Sequence, residues 1–175
     1  MHVVRTSAAH LVIGLLLVSL APHSLAAQTS ADEPRTLIEG VYALQEWHKD
    51  GQILRPPQVD GRFVLLHGSV VWLMHNRTQE INQTTNASFG SYALDAARFS
   101  YWYDDPSTFV RTASGITVSH DPPWPGVRTF DVKREGDAVR LRSPDHQQEF
   151  LFTKEGLTLS DGGKVLRVWR RMNQQ

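Results

Sequence analysis

Hydrophobic residues along this chain form one continuous run near the N-terminus and, after it, many short stretches in which apolar and polar residues alternate. The continuous run covers 11–21, carries no charge, follows a single positive charge at Arg5 and ends at Pro22. A transmembrane helix needs about 20 apolar residues, and this run has about eleven. The run is therefore too short to anchor the chain stably in a membrane.

The residues after this run match a cleavage site for a signal peptidase. Ser24 and Ala26 are small residues at the two positions that the enzyme reads. We therefore predict a cleaved export signal over 1–26, with the cut near Ala26 or Ala27, and a secreted or periplasmic mature protein. A flexible lead over 27–36 is expected before the folded domain.

Beyond the lead, short stretches rich in β-branched and aromatic residues alternate with turn signals every eight to twelve residues. The turn signals contain Gly or Asp, which adopt the positive φ that tight hairpins need. They lie at Asp50-Gly51, His67-Gly68-Ser69, 134–137, 154–156 and Asp161-Gly162-Gly163. The pattern predicts strands at 41–48, 62–67, 70–77, 89–93, 98–104, 116–120, 127–133, 138–142, 149–153, 157–160 and 165–171.

Helical signals are weak throughout the mature chain. A short helix is predicted at 33–39, and the polar stretch 78–88 is interpreted as either a second short helix or a mobile loop. Three N-glycosylation sequons begin in or beside this stretch, at Asn76, Asn82 and Asn86, and they matter only in a eukaryotic secretory pathway.

The succession of hairpins favours a barrel. A chain of this length with many consecutive hairpins can form a β-sandwich or an up-and-down barrel. A closed barrel has no edge strands with unpaired backbone groups, which would otherwise favour aggregation. Only 105–115 is long enough for the crossover of a Greek key. We therefore predict an all-β fold, a single antiparallel up-and-down β-barrel of about eight to ten strands over 37–172.

Short motifs spread over almost the whole mature chain have an order and spacing shared with one known family. They are Leu37 to Leu44 on the first strand, Asp50-Gly51 at the first turn, Gly61-Arg62-Phe63 on the next strand, Gly90-Ser91-Tyr92 in mid-chain, Pro123-Trp124-Pro125-Gly126 before Arg128-Thr129-Phe130, and Leu166 to Arg171 on the last strand. Through them the sequence resembles the bacterial-type lipocalin-like domains, which belong to the calycin group of antiparallel β-barrels. It departs from that family at Gly40-Val41-Tyr42, where Gly-x-Trp is usual, and in a shortened Pro-Trp-Gly segment.

The resemblance implies a contact at the base of the barrel between an aromatic residue of the first strand and an arginine of the last. Tyr42 would be the aromatic residue, and Arg167, Arg170 or Arg171 would be its partner. A guanidinium stacks favourably on an aromatic ring. We interpret this contact as part of the fold and not of a functional site.

Composition and charge narrow the classes of partner. Removal of 1–26 takes away Arg5 and no acidic residue, so the 18 basic and 18 acidic residues of the chain become 17 and 18. A near-neutral domain gives no support for nucleic acid or an anionic membrane as a partner. The chain has no Cys, so it can have neither a disulfide nor a lipid-modified thiol. We therefore expect a fold that is stabilised by packing alone. We also expect a monomer or a weak dimer.

Motifs for catalysis, metals and cofactors are not found. The chain has no Gly-x-Ser-x-Gly elbow, phosphate-binding loop or Cys nucleophile. The five histidines after residue 26 have no His-x-His or His-Glu-x-x-His spacing. We therefore expect no strong metal site and no cofactor.

Function is expected in the barrel interior, because a barrel of about eight strands holds either a packed core or one small ligand. Alternation along the predicted strands indicates which side chains point inward, and these form an apolar pocket wall and a polar end of the pocket. The wall is predicted to be Trp72, Phe99, Tyr101 and Tyr103, and the polar end His120 and Arg128. A molecule with an acidic or carbonyl group suits this pocket, because a buried Arg128 needs an anion. In the alternative interpretation the aromatic residues fill the core, while His120 and Arg128 face solvent.

Three classes of function fit these residues. The first is binding or carriage of a small hydrophobic molecule. The second is cofactor-independent isomerisation or cyclisation of a small lipophilic substrate, with Tyr101, Tyr103 and His120 polarising a carbonyl or moving a proton. The third is a protein-binding or inhibitor module that presents Trp124 on the Pro-stiffened loop 120–126. We favour the interpretation that this loop is a lid over the barrel mouth, and Trp124 is therefore also predicted as a ligand-binding residue.

Overall fold

The structure, a computed structural model, describes residues 34–172. The predicted export signal and most of the predicted lead lie outside the described residues. A short helix at 34–38 agrees with the helix predicted at 33–39, and no helix within the described range is long and apolar enough to cross a membrane. The strands are β1 (Gly40–Lys49), β2 (Gln52–Leu54), β3 (Val59–Leu66), β4 (Ser69–Asn76), β5 (Gln83–Leu94), β6 (Arg98–Thr112), β7 (Gly115–His120), β8 (Arg128–Glu135), β9 (Ala138–Arg142), β10 (Gln148–Phe152), β11 (Gly156–Asp161) and β12 (Lys164–Arg171).

Ten of these strands form a closed antiparallel barrel. Neighbours follow chain order from β1 through β3, β4, β5, β6 and β8 to β12, and β12 pairs back with β1. The predicted all-β, up-and-down barrel is therefore confirmed. β2 and β7 lie outside the closed path, since β2 pairs with the end of β1 and β7 with the end of β6.

Tight turns join the strands at the predicted places. Two consecutive residues have positive φ at each of three turns: Asp50 and Gly51 (51° and 75°), His67 and Gly68 (50° and 82°), and Gly162 and Gly163 (54° and 75°). Paired positive φ values match the twist of the flanking strands, which fixes the register of each hairpin. The structure thus shows at these turns the positive φ values on which the prediction of hairpins from the Gly and Asp signals depends.

β5 and β6 are much longer than the sequence predicts. β5 begins at Gln83 instead of Phe89, and β6 continues through Pro106 to Thr112. The helix or loop predicted at 78–88 is therefore wrong from residue 83 onward, and the crossover considered at 105–115 does not exist. The added length of β5 pairs with β4 and with the added length of β6, which pairs in turn with β7. These three segments, 83–88, 105–112 and β7, are called the arm below.

A bulge marks the place where the arm begins. The register between β5 and β6 shifts at Phe89 and Gly90, so that Asp104 is the extra residue on β6. Gly90 is needed here, because a Cβ would lie 1.9 Å from the carbonyl oxygen of Trp102. The strand therefore continues where Asp104 and the following Pro106 suggested a turn.

Arg171 and the helix at 34–38 close one end of the barrel. The Arg171 Cζ lies 5.4 Å from the centre of the Tyr42 ring, and Nη2 donates to the Tyr42 phenol oxygen at 2.9 Å. The same nitrogen donates at 2.6 and 2.7 Å to the carbonyls of Leu37 and Glu39, just before β1. Of the three arginines considered from the sequence, Arg171 is therefore the one that contacts Tyr42.

Candidate functional site

A cavity of about 240 Å³ lies inside the barrel. A water molecule takes up about 30 Å³ of liquid, so this volume equals about eight waters or one small organic molecule. The wall is mostly aromatic and aliphatic, with a few polar groups. It consists of Phe63, Trp72, Tyr101, Tyr103, Trp124, Arg128, Gln148, Phe150, Leu157, Leu159, Leu166, Arg167 and Trp169.

The strand pairing places this cavity toward the barrel end that Arg171 does not close. Tyr42 on β1 is opposite Arg171, whereas five residues later Trp47 is opposite Arg167, which lines the cavity. Trp72 on β4 lines it as well, between the inward-facing Val70 and Met74, as the alternation along β4 predicts.

Three aromatic residues of β6 face the interior in succession. Phe99, Tyr101 and Tyr103 are all buried, because side chains two residues apart lie on the same face of a strand. The ring centre of Tyr101 is 5.8 Å from that of Phe99 and 5.7 Å from that of Tyr103. Tyr101 and Tyr103 line the cavity, whereas Phe99 packs against Phe130 in the core and does not reach it.

The loop between β7 and β8 contributes Trp124 to the cavity wall. Trp124 packs edge-on against Tyr103, with ring centres 4.6 Å apart, and its backbone N–H donates to the Tyr103 carbonyl at 3.1 Å. Arg128, at the start of β8, lies over the outer side of this contact, with Cζ 3.8 Å from the centre of the Trp124 ring. Trp124 therefore packs against β6 and forms part of the cavity wall.

Arg167 is a cavity residue that the sequence interpretation did not include. Its Cζ lies 5.7 Å from the ring centres of both Trp47 and Trp72. Its Nε is buried without an acceptor, and the guanidinium forms no ion pair with any residue of 34–172. Burial lowers the pKa of Arg167, because desolvation penalises the charged form. The cavity thus contains a half-buried cation for which residues 34–172 supply no counter-charge.

The two phenols in the cavity keep their protons at neutral pH. Burial raises the pKa of Tyr101 and raises that of Tyr103 further, while the charges of Arg128 and Arg167 act on both in the opposite direction. Both phenols and both arginines line the same cavity. The phenols can donate hydrogen bonds there but cannot accept a proton.

His120 does not belong to this site, and its prediction as part of the polar end is wrong. It is the last residue of β7 on the arm, where its side chain is 71% exposed. Its Nδ1 lies 2.9 Å from the Ser107 hydroxyl and 3.8 Å from an Asp105 carboxylate oxygen. Alternation correctly put His120 on the same face as Ile116 and Val118, but that face of the arm is exposed.

Five of the seven predicted site residues line the cavity: Trp72, Tyr101, Tyr103, Trp124 and Arg128. Alternation could also have indicated Arg167, since it lies two residues from the buried Trp169 on β12. No Asp, Glu or His lines the cavity in the described part of the chain. Nor do three or more metal-ligating side chains come together anywhere in 34–172.

The chain was compared with protein families, curated proteins and solved structures. No family model, curated protein or solved structure matches the chain.

Proposed function

We propose that this protein binds a small hydrophobic molecule inside its barrel. The observation that carries the proposal is the cavity of about 240 Å³ with its largely aromatic wall. An apolar cavity with a few convergent polar groups is typical of a ligand site. Apolar surface of the ligand would leave water on binding, and ring contacts with Trp72, Tyr103 and Trp124 favour a flat molecule.

The polar groups of the cavity favour binding over chemical turnover. Isomerisation or cyclisation through proton transfer needs a group that accepts a proton. Tyr101 and Tyr103 keep their protons, and His120, the third residue considered for such a reaction, lies on the arm. Arginine remains charged at physiological pH. The site is therefore suited to hold and orient a ligand.

The lipocalin-like assignment and export belong to the same proposal. Closure by ten antiparallel strands and the contact between Tyr42 and Arg171 agree with what the resemblance implies. The signal-like sequence over 1–26 supports export to the periplasm or beyond the cell. A ligand would then be taken up outside the cytoplasm.

A cavity-filling variant tests binding in the interior. The probes are 2-naphthoate and its neutral analogue 2-naphthamide, titrated into the full-length chain by calorimetry. Leu159 lines the cavity, so Leu159→Trp should abolish binding of both probes by filling the space. Ile116→Trp adds a similar side chain on the exposed face of β7 and should leave binding unchanged. If neither probe binds the unsubstituted protein, or if Leu159→Trp binds as well as Ile116→Trp, the proposal is wrong.

We propose that the protein is a monomer or at most a weak dimer. Exposed large apolar side chains on the arm include Ile116 and Val118, both on β7. A stable interface usually involves about 20 to 30 residues on each side, and the whole of β7 has six. Sedimentation velocity at increasing protein concentration should give one monomer-sized species or a gradual shift; a stable dimer at all concentrations would contradict this.

A further inference from the structure

We infer that the ligand of this cavity is an organic anion whose acidic group binds between Arg167 and Arg128, with its apolar body against the aromatic wall. The inference rests on the proposed function and specifies its ligand class. It starts from Arg167, whose guanidinium is charged, half-buried and without a carboxylate partner in 34–172.

Other arginines of the barrel, unlike Arg167, have acceptors for their guanidinium groups. Arg140 pairs with Glu135 and Glu149, and Arg142 also pairs with Glu149. Arg171 instead has the Tyr42 phenol and backbone carbonyls as acceptors. A buried charge without such partners costs free energy, and a bound anion offsets that cost.

The rest of the site also suits an anion. Arg128 provides a second cation at the exposed mouth and is held in place by Trp124. The phenols of Tyr101 and Tyr103 line the same cavity, and because burial raises their pKa values they stay protonated and are available as hydrogen-bond donors. Two cations and two neutral donors therefore converge on one space, and no acidic side chain lines it within residues 34–172.

The apolar surface of the cavity wall favours an organic ligand over an inorganic ion. Phe63, Phe150 and Leu157 contribute apolar surface that a phosphate or chloride ion would leave uncovered. A carboxylate on a compact ring system would satisfy the cations and cover this surface at the same time. The volume of about 240 Å³ limits the ligand to a small molecule, below the usual range for drug-sized ligands.

The experiment compares 2-naphthoate with 2-naphthamide at pH 7, since the two have nearly the same shape and differ in charge. A hydrogen bond to a charged group changes affinity by about tenfold to a hundredfold, so we expect 2-naphthoate to bind tighter by that factor. Arg167→Met should reduce the affinity for 2-naphthoate to about that for 2-naphthamide and leave 2-naphthamide unaffected. Arg170→Met removes the same charge from an exposed position of β12 and should change neither affinity.

Each outcome decides between the two proposals. Equal affinity for the two probes in the unsubstituted protein overturns the anion inference but leaves binding in the cavity intact, and it requires no folded variant. Equal weakening of both probes by Arg167→Met also overturns it. Inorganic phosphate is the third probe: if it displaces 2-naphthoate at equal concentration, the site recognises the anion alone, and the inference of an organic anion is overturned. Binding of neither naphthalene probe overturns the proposed function itself.

Discussion

The guanidinium of Arg128 stacks on the indole of Trp124, with Cζ 3.8 Å from the ring centre. Trp124 in turn packs edge-on against Tyr103, which lines the cavity. Arg128 on β8 thereby helps to hold the loop between β7 and β8 in place, and it adds positive charge at the cavity that both residues line.

Arg128→Leu should weaken the binding of 2-naphthoate by about twofold to fivefold, because an exposed cation–π contact contributes about 0.5 to 1 kcal/mol. The measurement is a calorimetric titration. Lys133→Leu, which removes a charge from an exposed position of the same strand, should have no effect. If Arg128→Leu leaves the binding of every lipophilic acid tested unchanged, Arg128 has no part in the site.

Loss of the Arg171 contact should destabilise the protein. Arg171→Met removes charged hydrogen bonds to the Tyr42 phenol and to the carbonyls of Leu37 and Glu39, at a cost of about 2 to 3 kcal/mol in the free energy of unfolding. Urea denaturation measures this change. Arg170 is the preceding residue and is exposed, so the free energy of unfolding of Arg170→Met should lie within about 0.5 kcal/mol of that of the unsubstituted protein. Equal stability of the two variants would show that Arg171 does not stabilise the closed end.

The barrel wall and the arm should differ in their response to truncation. Phe130 is almost fully buried and contacts Phe99, Tyr101 and Phe150, so Phe130→Ala should cost about 3 to 5 kcal/mol. Ile116 on the arm is 61% exposed, and Ile116→Ala should change stability by no more than about 0.5 kcal/mol. Similar losses in the two variants would mean that the arm is packed against other parts of the protein.

Alkaline pH should unfold the protein through its tyrosines. All four tyrosines of the chain are buried, and burial raises the pKa of Tyr42, Tyr101 and Tyr103, while burial and the hydrogen bond to Glu39 raise that of Tyr92 to about 12. A group whose pKa is higher in the folded state binds its proton more tightly there. The stability that it contributes is complete below pH of about 10, its unfolded value, and is lost as pH rises toward its folded value.

Near-ultraviolet absorbance follows this transition directly. We expect little tyrosinate signal in the folded protein up to pH of about 10 to 11, and a cooperative increase together with the loss of β-structure at higher pH. A gradual increase centred near pH 10, without unfolding, would show that the phenols are accessible to solvent.

The fold was predictable from the sequence to a large extent because its signals are local. Asp50-Gly51 and His67-Gly68 allow the positive φ values of tight hairpins, and alternation along β4 and β6 identified the inward faces. The length of β6 was not predictable in this way. Pro106 and the two preceding aspartates favour a turn locally, whereas the bulge at Gly90 and the pairing with β5 keep the strand continuous.

The candidate site was predictable only in part, because alternation gives the face of a strand but not the distance to a cavity. Tyr101 and Phe99 share one face, yet only Tyr101 lines the cavity. His120 lies on β7, a strand outside the closed path of the barrel, and no local pattern indicates this position. The resemblance implies Arg167 only as one possible partner of Tyr42, whereas the pairing of β12 with β1 places it opposite Trp47.

A crystal structure of the protein with 2-naphthoate would test the binding site most directly. We predict electron density for the naphthalene ring inside the barrel against Trp72 and Tyr103, with the carboxylate within hydrogen-bond distance of Arg167. Density for the ligand only on the outside of the barrel, or a naphthalene ring inside it with its carboxylate turned away from both Arg167 and Arg128, would contradict the assignment of this cavity as a site for organic anions.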